Sequence, residues 1–170
     1  MIGKTAMTHI VQKTALAGVL AASATMAAAQ DTPADHSQDL AWHNQQQLAL
    51  AQRSYKDGWS YLEGGVLWRR ISGNGSGPSP SISDTVSVHY QGSFVDGSIF
   101  DSSYDRGQPV NFPLGKLIPA WKLAIPQMGV GDTIELAVPS SLGYGPRGKG
   151  PIPGGATLLF EIKLLGIEGG

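Results

Sequence analysis

Three stretches in the second half of the chain alternate apolar and polar residues with a period of two. Val86, Val88 and Tyr90 alternate with Ser87, His89 and Gln91. Ile134, Leu136 and Val138 alternate with Thr133, Glu135 and Ala137, and Leu158, Phe160, Ile162 and Leu164 with Leu159, Glu161 and Lys163. Successive side chains of a strand point to opposite faces, so this pattern predicts half-buried strands. One packed face and one more polar face is the habit of an antiparallel sheet. Asp96-Gly97, between Ser93-Phe94-Val95 and Ser98-Ile99-Phe100, is a tight hairpin signal. The run VLWRRI from Val66 to Ile71 reads as a further strand. Against these strands stands one short helical segment, PAWKLAI, from Pro119 to Ile125. Pro119 suits the first helical position, Pro126 prevents much continuation, and Trp121, Ala124 and Ile125 share a face. The expected class is α+β: a twisted antiparallel sheet wrapped around one short helix, with a second helix N-terminal to it.

Composition agrees. The chain has 170 residues, is 41% hydrophobic and 15% charged, and carries a formal charge of −1. It can bury a core, and it lacks the charge of a nucleic-acid-coating or disordered protein, so no nucleic-acid partner is expected. Residues 1–29 read as a secretory signal: Lys4, His9 and Lys13, then an uncharged run from Thr14 ending in Ala27-Ala28-Ala29. A membrane anchor is the rival reading, but the run is short and rich in small residues. The expectation is a periplasmic protein whose mature form has no stable membrane insertion; the lack of cysteine suits an oxidising compartment.

Residues 30–65 are expected to form an N-terminal helical extension, and 66–170 the sheet domain. Ser37 to Lys56 has helical character, with Leu40, Leu48, Ala51 and Tyr55 at helix-like spacing and Asp57-Gly58 as a stop. Two readings compete. The helix packs on its own domain or stays mobile, leaving a monomer, or Leu40, Trp42, Leu48 and Tyr55 mark a face for a partner or a second copy. SGNGSGPSP, Ser72 to Pro80, is on composition either a linker or a loop.

Four stretches carry a resemblance: VSVHYQGSFVDGSIFDSSYDRG, FPLGKLIPAW, QMGVGDTIELAVPSSLGYG and PIPGGATLLFEIKLL. In this order and spacing the chain resembles the catalytic domain of FKBP-type peptidyl-prolyl isomerases, of the exported bacterial type, from about Leu67 to Glu168. The resemblance implies that the Gly/Pro/Ser stretch is a loop inside the domain. It implies cis/trans isomerisation of Xaa-Pro bonds in unfolded or nascent exported proteins, with no cofactor, and macrolide immunosuppressants as a ligand class. Trp121 would be the floor under the proline ring. Tyr90, Phe100, Phe112 and Phe160 would form the walls, with Leu117 and Ile118 beside them. The Ile118 N–H and the Tyr144 hydroxyl would donate to substrate carbonyls. Asp101 would face the twisting amide, Arg106 would orient Asp101, and Ile152 would close one side.

Each residue has a plainer reading. Trp121 buries much area wherever it sits, Phe112 and Phe160 serve a core, and Asp101 with Ser102-Ser103 suits a turn. Tyr144, between Gly143 and Gly145, has less packing reason to be there. Val110 stands where the family has another pocket aromatic, which thins a wall, and Gly154-Gly155 is expected to loosen the loop carrying Ile152. Both departures leave room for a binding module or holdase that keeps the groove but catalyses poorly. His36, His43 and His89 show no metal-ligand spacing, so no metal is expected. With every pocket residue beyond Leu67, removing the chain through Lys56 is expected to leave catalysis on short peptides intact.

Overall fold

The computed structural model describes residues 34–169. The predicted export signal, residues 1–29, lies outside the described residues. Seven strands form one sheet: β1 Ser60–Tyr61, β2 Leu67–Ser72, β3 Thr85–Ser93, β4 Ile99–Ser102, β5 Val110–Pro113, β6 Thr133–Val138 and β7 Leu158–Glu168. Every pairing is antiparallel, in the order β1-β2-β6-β7-β3-β4, with β5 also on β3. The helices are α1, Leu40–Ala51, and α2, Pro119–Ala124. This is the expected α+β architecture.

The period-two residues behave as expected. Val86, Val88 and Tyr90 of β3, Ile134, Leu136 and Val138 of β6, and Leu158, Phe160, Ile162 and Leu164 of β7 are all buried in one cluster. The same cluster takes Ala120, Trp121 and Ala124 of α2, then Ile125 and Met128 of the turn beyond it. Pro119 opens α2 and Pro126 lies in the following 3-10 turn, Ile125–Gln127. The helix thus ends where a proline makes it end. The hairpin forms at Asp96-Gly97: Phe94 N–H donates to the Ser98 carbonyl at 2.8 Å, and Gly97 has φ +87°.

Asp132 fastens the Gly/Pro/Ser stretch to the body of the domain. Its carboxylate, 3% exposed, accepts from the Gly129 N–H at 2.8 Å, the Gly75 N–H at 3.1 Å and Arg70 Nε at 2.9 Å. The Val130 N–H also donates to the Pro78 carbonyl at 2.9 Å. The stretch is therefore a loop within the domain. Gly77 allows the approach, since a Cβ there would lie 2.5 Å from the Val130 carbonyl oxygen.

Helix α1 is shorter than the expected Ser37 to Lys56. Asp39 caps it, accepting from the Trp42 N–H at 2.9 Å. A separate 3-10 turn, Tyr55–Asp57, follows before Gly58 at φ +79°. Leu40, Leu48 and Tyr55 are exposed, whereas Gln46 is buried. The inward stripe is Trp42, Gln46 and Leu50, spaced i, i+4, i+8. Trp42 packs on the main cluster, and Leu50 packs on a second one formed by Trp59, Leu67 and Ala137. The helix lies on its own domain, and Trp42 belongs to that contact.

Burial raises the Asp132 carboxyl pKa, but its hydrogen bonds and the Arg70 charge outweigh this and hold it below the ordinary value. A carboxyl that is lower in the folded state stabilises the fold above its unfolded pKa of about 3.9, and that contribution is lost as pH falls through the folded value. Asp132→Asn should cost about 1–3 kcal/mol at neutral pH. Thermal melts from pH 7 to pH 2 should show the wild type losing part of its advantage over the variant on the acid side.

Candidate functional site

Trp121 is 4% exposed and sits at the centre of a set of rings. Tyr90, Phe160 and Phe112 meet it edge-on, with centroids at 5.3, 5.4 and 6.1 Å and interplanar angles of 80, 85 and 79°. Phe100 meets Phe160 edge-on at 5.7 Å. Edge-to-face contacts suit the ring quadrupoles and lock the rings against one another. Gly92 of β3 makes room, because a Cβ there would come within 2.5 Å of the Phe100 ring and 2.9 Å of the Phe160 ring.

Above this floor is a cavity of about 230 Å³. Its lining comprises Tyr90, Phe100, Phe112, Trp121 and Phe160, together with Asp101, Leu117, Ile118 and Tyr144. Ile118 is the cap residue before α2, and Leu117 follows the 3-10 turn Leu114–Lys116, so the helix start presents both to the cavity. Ile152 is buried and lines an adjoining depression of about 260 Å³. That depression shares Phe100, Asp101 and Tyr144 with the first and adds Lys149, Gly150 and Pro151. Val110 is half-buried against the core and absent from both linings.

The rim holds a triangle of polar groups. The Asp101 carboxylate accepts from the Tyr90 hydroxyl on one oxygen and from Arg106 Nη1 on the other, while Arg106 Nη2 donates to the Tyr90 oxygen at 3.0 Å. The guanidinium also lies over the Tyr90 ring, 5.6 Å from its centroid. Burial pushes the Asp101 carboxyl pKa up, but these two donors and the Arg106 charge together hold it below the ordinary value. Burial, reinforced by the bond to Asp101, raises the Tyr90 phenol. Tyr144 is raised by burial and by the Asp101 charge. Its hydroxyl stays protonated, a donor on the cavity lining. The Trp121 indole N–H is buried without a partner among the described residues.

Several contributors were missed in the sequence. Ser103, fully buried, accepts from the Tyr90 N–H at 2.8 Å, and its own N–H donates to the Tyr90 carbonyl at 2.9 Å. It pins the start of the turn that carries Arg106, just beyond Asp101 of β4, to the strand carrying Tyr90. Nothing local in SSYD announces that partner. A glycine inside a strand pattern does announce a close approach, and Gly92 could have been read that way. Gly154 and Gly155 are points of close approach within their loop. A Cβ on Gly154 would lie 2.0 Å from the Pro146 carbonyl oxygen, and Gly155 bonds to the Gly145 carbonyl at 3.0 Å. The glycines let two arms of the loop cross in contact. The histidines are engaged elsewhere: His36 and His43 pack on Trp42, and His89 bonds Ser103 and stacks on Tyr104. Among the described residues no three His, Cys, Asp or Glu come together to hold a metal.

Comparison with known proteins follows this geometry. Residues 77–165 match the family model described as FKBP-type peptidyl-prolyl cis-trans isomerase. The FKBP-type peptidyl-prolyl cis-trans isomerase FkpA of Aeromonas hydrophila is 42% identical over 119 residues, covering 70% of this chain and 44% of that protein. The FKBP-type 22 kDa peptidyl-prolyl cis-trans isomerase of Escherichia coli K12 is 44% identical over 119 residues, covering 69% of this chain and 57% of that protein. The chain thus spans about half the length of these curated relatives. Among solved structures, FkpA from Escherichia coli aligns with TM-score 0.71 at 32% identity, over 75% of this chain and 60% of that one. A peptidyl-prolyl cis-trans isomerase from Pseudomonas syringae aligns with TM-score 0.69 at 33% identity, over 81% of this chain and 98% of that one.

Arg106→Gln should let the Asp101 carboxyl rise towards the ordinary value of about 3.9. Side-chain carboxyl NMR titration measures it. The melting temperature should hardly move, because both side chains are about two-fifths exposed, at 43 and 40%.

Proposed function

The chain belongs to the family of FKBP-type peptidyl-prolyl cis-trans isomerases, and from that premise we propose that it speeds rotation about Xaa-Pro bonds in unfolded or nascent exported proteins. The cavity over Trp121 carries this reading: a pocket walled by aromatic rings, with Asp101 and Tyr144 among its lining residues. Resonance sets the rotation barrier at about 18–20 kcal/mol. Xaa-Pro cis and trans forms differ by only about 0.5–1 kcal/mol, so both occur and exchange slowly. Twisting the amide removes resonance and makes it less dipolar than the planar form. A site that strips water from the amide therefore disfavours the planar ground state relative to the twisted one, with no bond broken and no nucleophile required.

The residues take these roles. The proline ring enters over Trp121, between Tyr90, Phe112 and Phe160. The Tyr144 hydroxyl and the Ile118 N–H donate to carbonyls flanking the bond, fixing one side of the chain while the other turns. Asp101, ionised and held by Tyr90 and Arg106, faces the amide as its charge distribution changes. A preset polar rim costs no reorganisation at the moment of rotation. Phe100 and Ile152 close the side towards the adjoining depression. Macrolides that present a ring amide are the natural competitors. Residues 1–29 are proposed as the export signal, 30–65 as the extension and 66–170 as the isomerase domain, working as a monomer in the periplasm. Among the described residues no helix is long and apolar enough to cross a membrane.

Exchange NMR on a short Leu-Pro or Phe-Pro peptide tests the reading. Wild-type protein should broaden the cis and trans resonances strongly. Tyr144→Phe should lower kcat/KM about tenfold, the worth of one hydrogen bond made to the turning chain. Asp101→Ala should lower it by a similar factor with the fold intact by circular dichroism. A well-folded wild type with no catalysis would leave a binding module, and the next measurement would be its affinity for unfolded chains.

A further inference from the structure

The segment between β6 and β7 carries Tyr144 near its start and Ile152 further on. It supplies one side of the pocket and the outer rim of the adjoining depression. Its far end is held from outside the sheet by α1. Gln46 is 3% exposed and Thr157 is 2% exposed. Gln46 Oε1 accepts from the Thr157 N–H at 2.8 Å, and Thr157 Oγ1 donates to the Gln46 carbonyl at 3.2 Å. One turn earlier on the same stripe, Trp42 lies over Gly155. A Cβ on Gly155 would come 3.4 Å from the Trp42 ring and 3.6 Å from His43. The Gly155 N–H in turn donates to the carbonyl of Gly145, next to Tyr144. A continuous path of contact runs from α1 through Thr157 and Gly155 to the pocket tyrosine.

A buried glutamine needs a reason. Burial of an unbonded amide is costly, and an apolar residue at 46 would strand the Thr157 N–H. The pair is therefore specific, and it joins elements far apart in sequence. Thr157 directly precedes β7, where the loop must be held if its arms are to stay crossed.

We propose that α1 braces the pocket loop, with Gln46 as a positioning residue that sets Tyr144 and Ile152 through Thr157 and Gly155. The proposal rests on the isomerase reading of the pocket. It reverses the expectation that the chain through Lys56 is dispensable for catalysis on short peptides.

The test uses the full chain and Gln46→Met, which keeps bulk but removes the acceptor. Peptide isomerisation should show KM raised about fivefold or more with kcat changed less, because the loop that closes on substrate is loosened. Hydrogen exchange at Gly145, Gly155 and Thr157 should quicken while the central amides of β3 and β7 keep their protection. Leu50→Ala is the control: it lies on the same helix but packs on Trp59, Leu67 and Ala137. It should lose stability yet keep the wild-type KM. Gln46→Asn, whose shorter side chain falls out of reach of Thr157, repeats the measurement should Gln46→Met fold poorly. Unchanged loop exchange and KM in the Gln46 variants overturn the brace, as does an equal rise in KM in Leu50→Ala. If the wild type isomerises no peptide, the isomerase reading fails, and the exchange data alone decide whether α1 braces the loop.

Discussion

The main core depends on a single insertion: six helical residues, Pro119–Ala124, pack on one face of a seven-stranded sheet. So short a helix covers so wide a face only by bringing its backbone close and projecting one large ring. Ala120 and Ala124, both fully buried, allow the approach, and Trp121 is the ring. Full burial of a large apolar side chain contributes roughly 1.5–3 kcal/mol, and Trp121 also organises Tyr90, Phe112 and Phe160 at right angles to itself. The pocket lies where this covering stops. Its floor is the upper surface of the core, so floor residues serve stability and binding together.

The rim follows different physics. Asp101, Arg106 and Tyr144 are partly exposed, and their value lies in orientation. Asp101 is held from two directions, by a phenol rooted in β3 and by a guanidinium from the turn beyond β4. Ser103 ties that turn to the backbone of the same Tyr90. One strand residue thereby joins the wall of the pocket to its charged edge. Loosening the turn would remove the Arg106 hold on the carboxylate while β4 still carries Asp101.

The extension adds a second kind of support. Its inward stripe has an aromatic, an amide and an aliphatic residue in succession. Trp42 meets the pocket loop, Gln46 satisfies a buried backbone donor, and Leu50 seals the opposite face of the sheet with Trp59. That covering explains why Ala137 of β6 is fully buried although its side chain points away from the main core.

How much of this was legible beforehand differs by element. The strands of β3, β6 and β7 could be read because a sheet with one packed face imposes a period of two on its own sequence. The limits of α2 could be read because proline acts on its immediate neighbours. The site residues became legible through four motifs in register, since any one of them suits an ordinary turn or core. The inner face of α1 is not legible from apolar spacing: Leu40 and Leu48 lie outside, while Gln46 is buried. A glutamine is buried only when a particular backbone donor waits for it, and that donor belongs to Thr157, distant in sequence. The crossing of the loop at Gly154 was hidden for the same reason. By itself the sequence determined periodicity, breakers and ring content, which act locally. Tertiary structure alone decided which polar groups are buried, which glycines are contacts and what braces the loop, because those depend on atoms that only the fold brings within hydrogen-bonding or van der Waals reach.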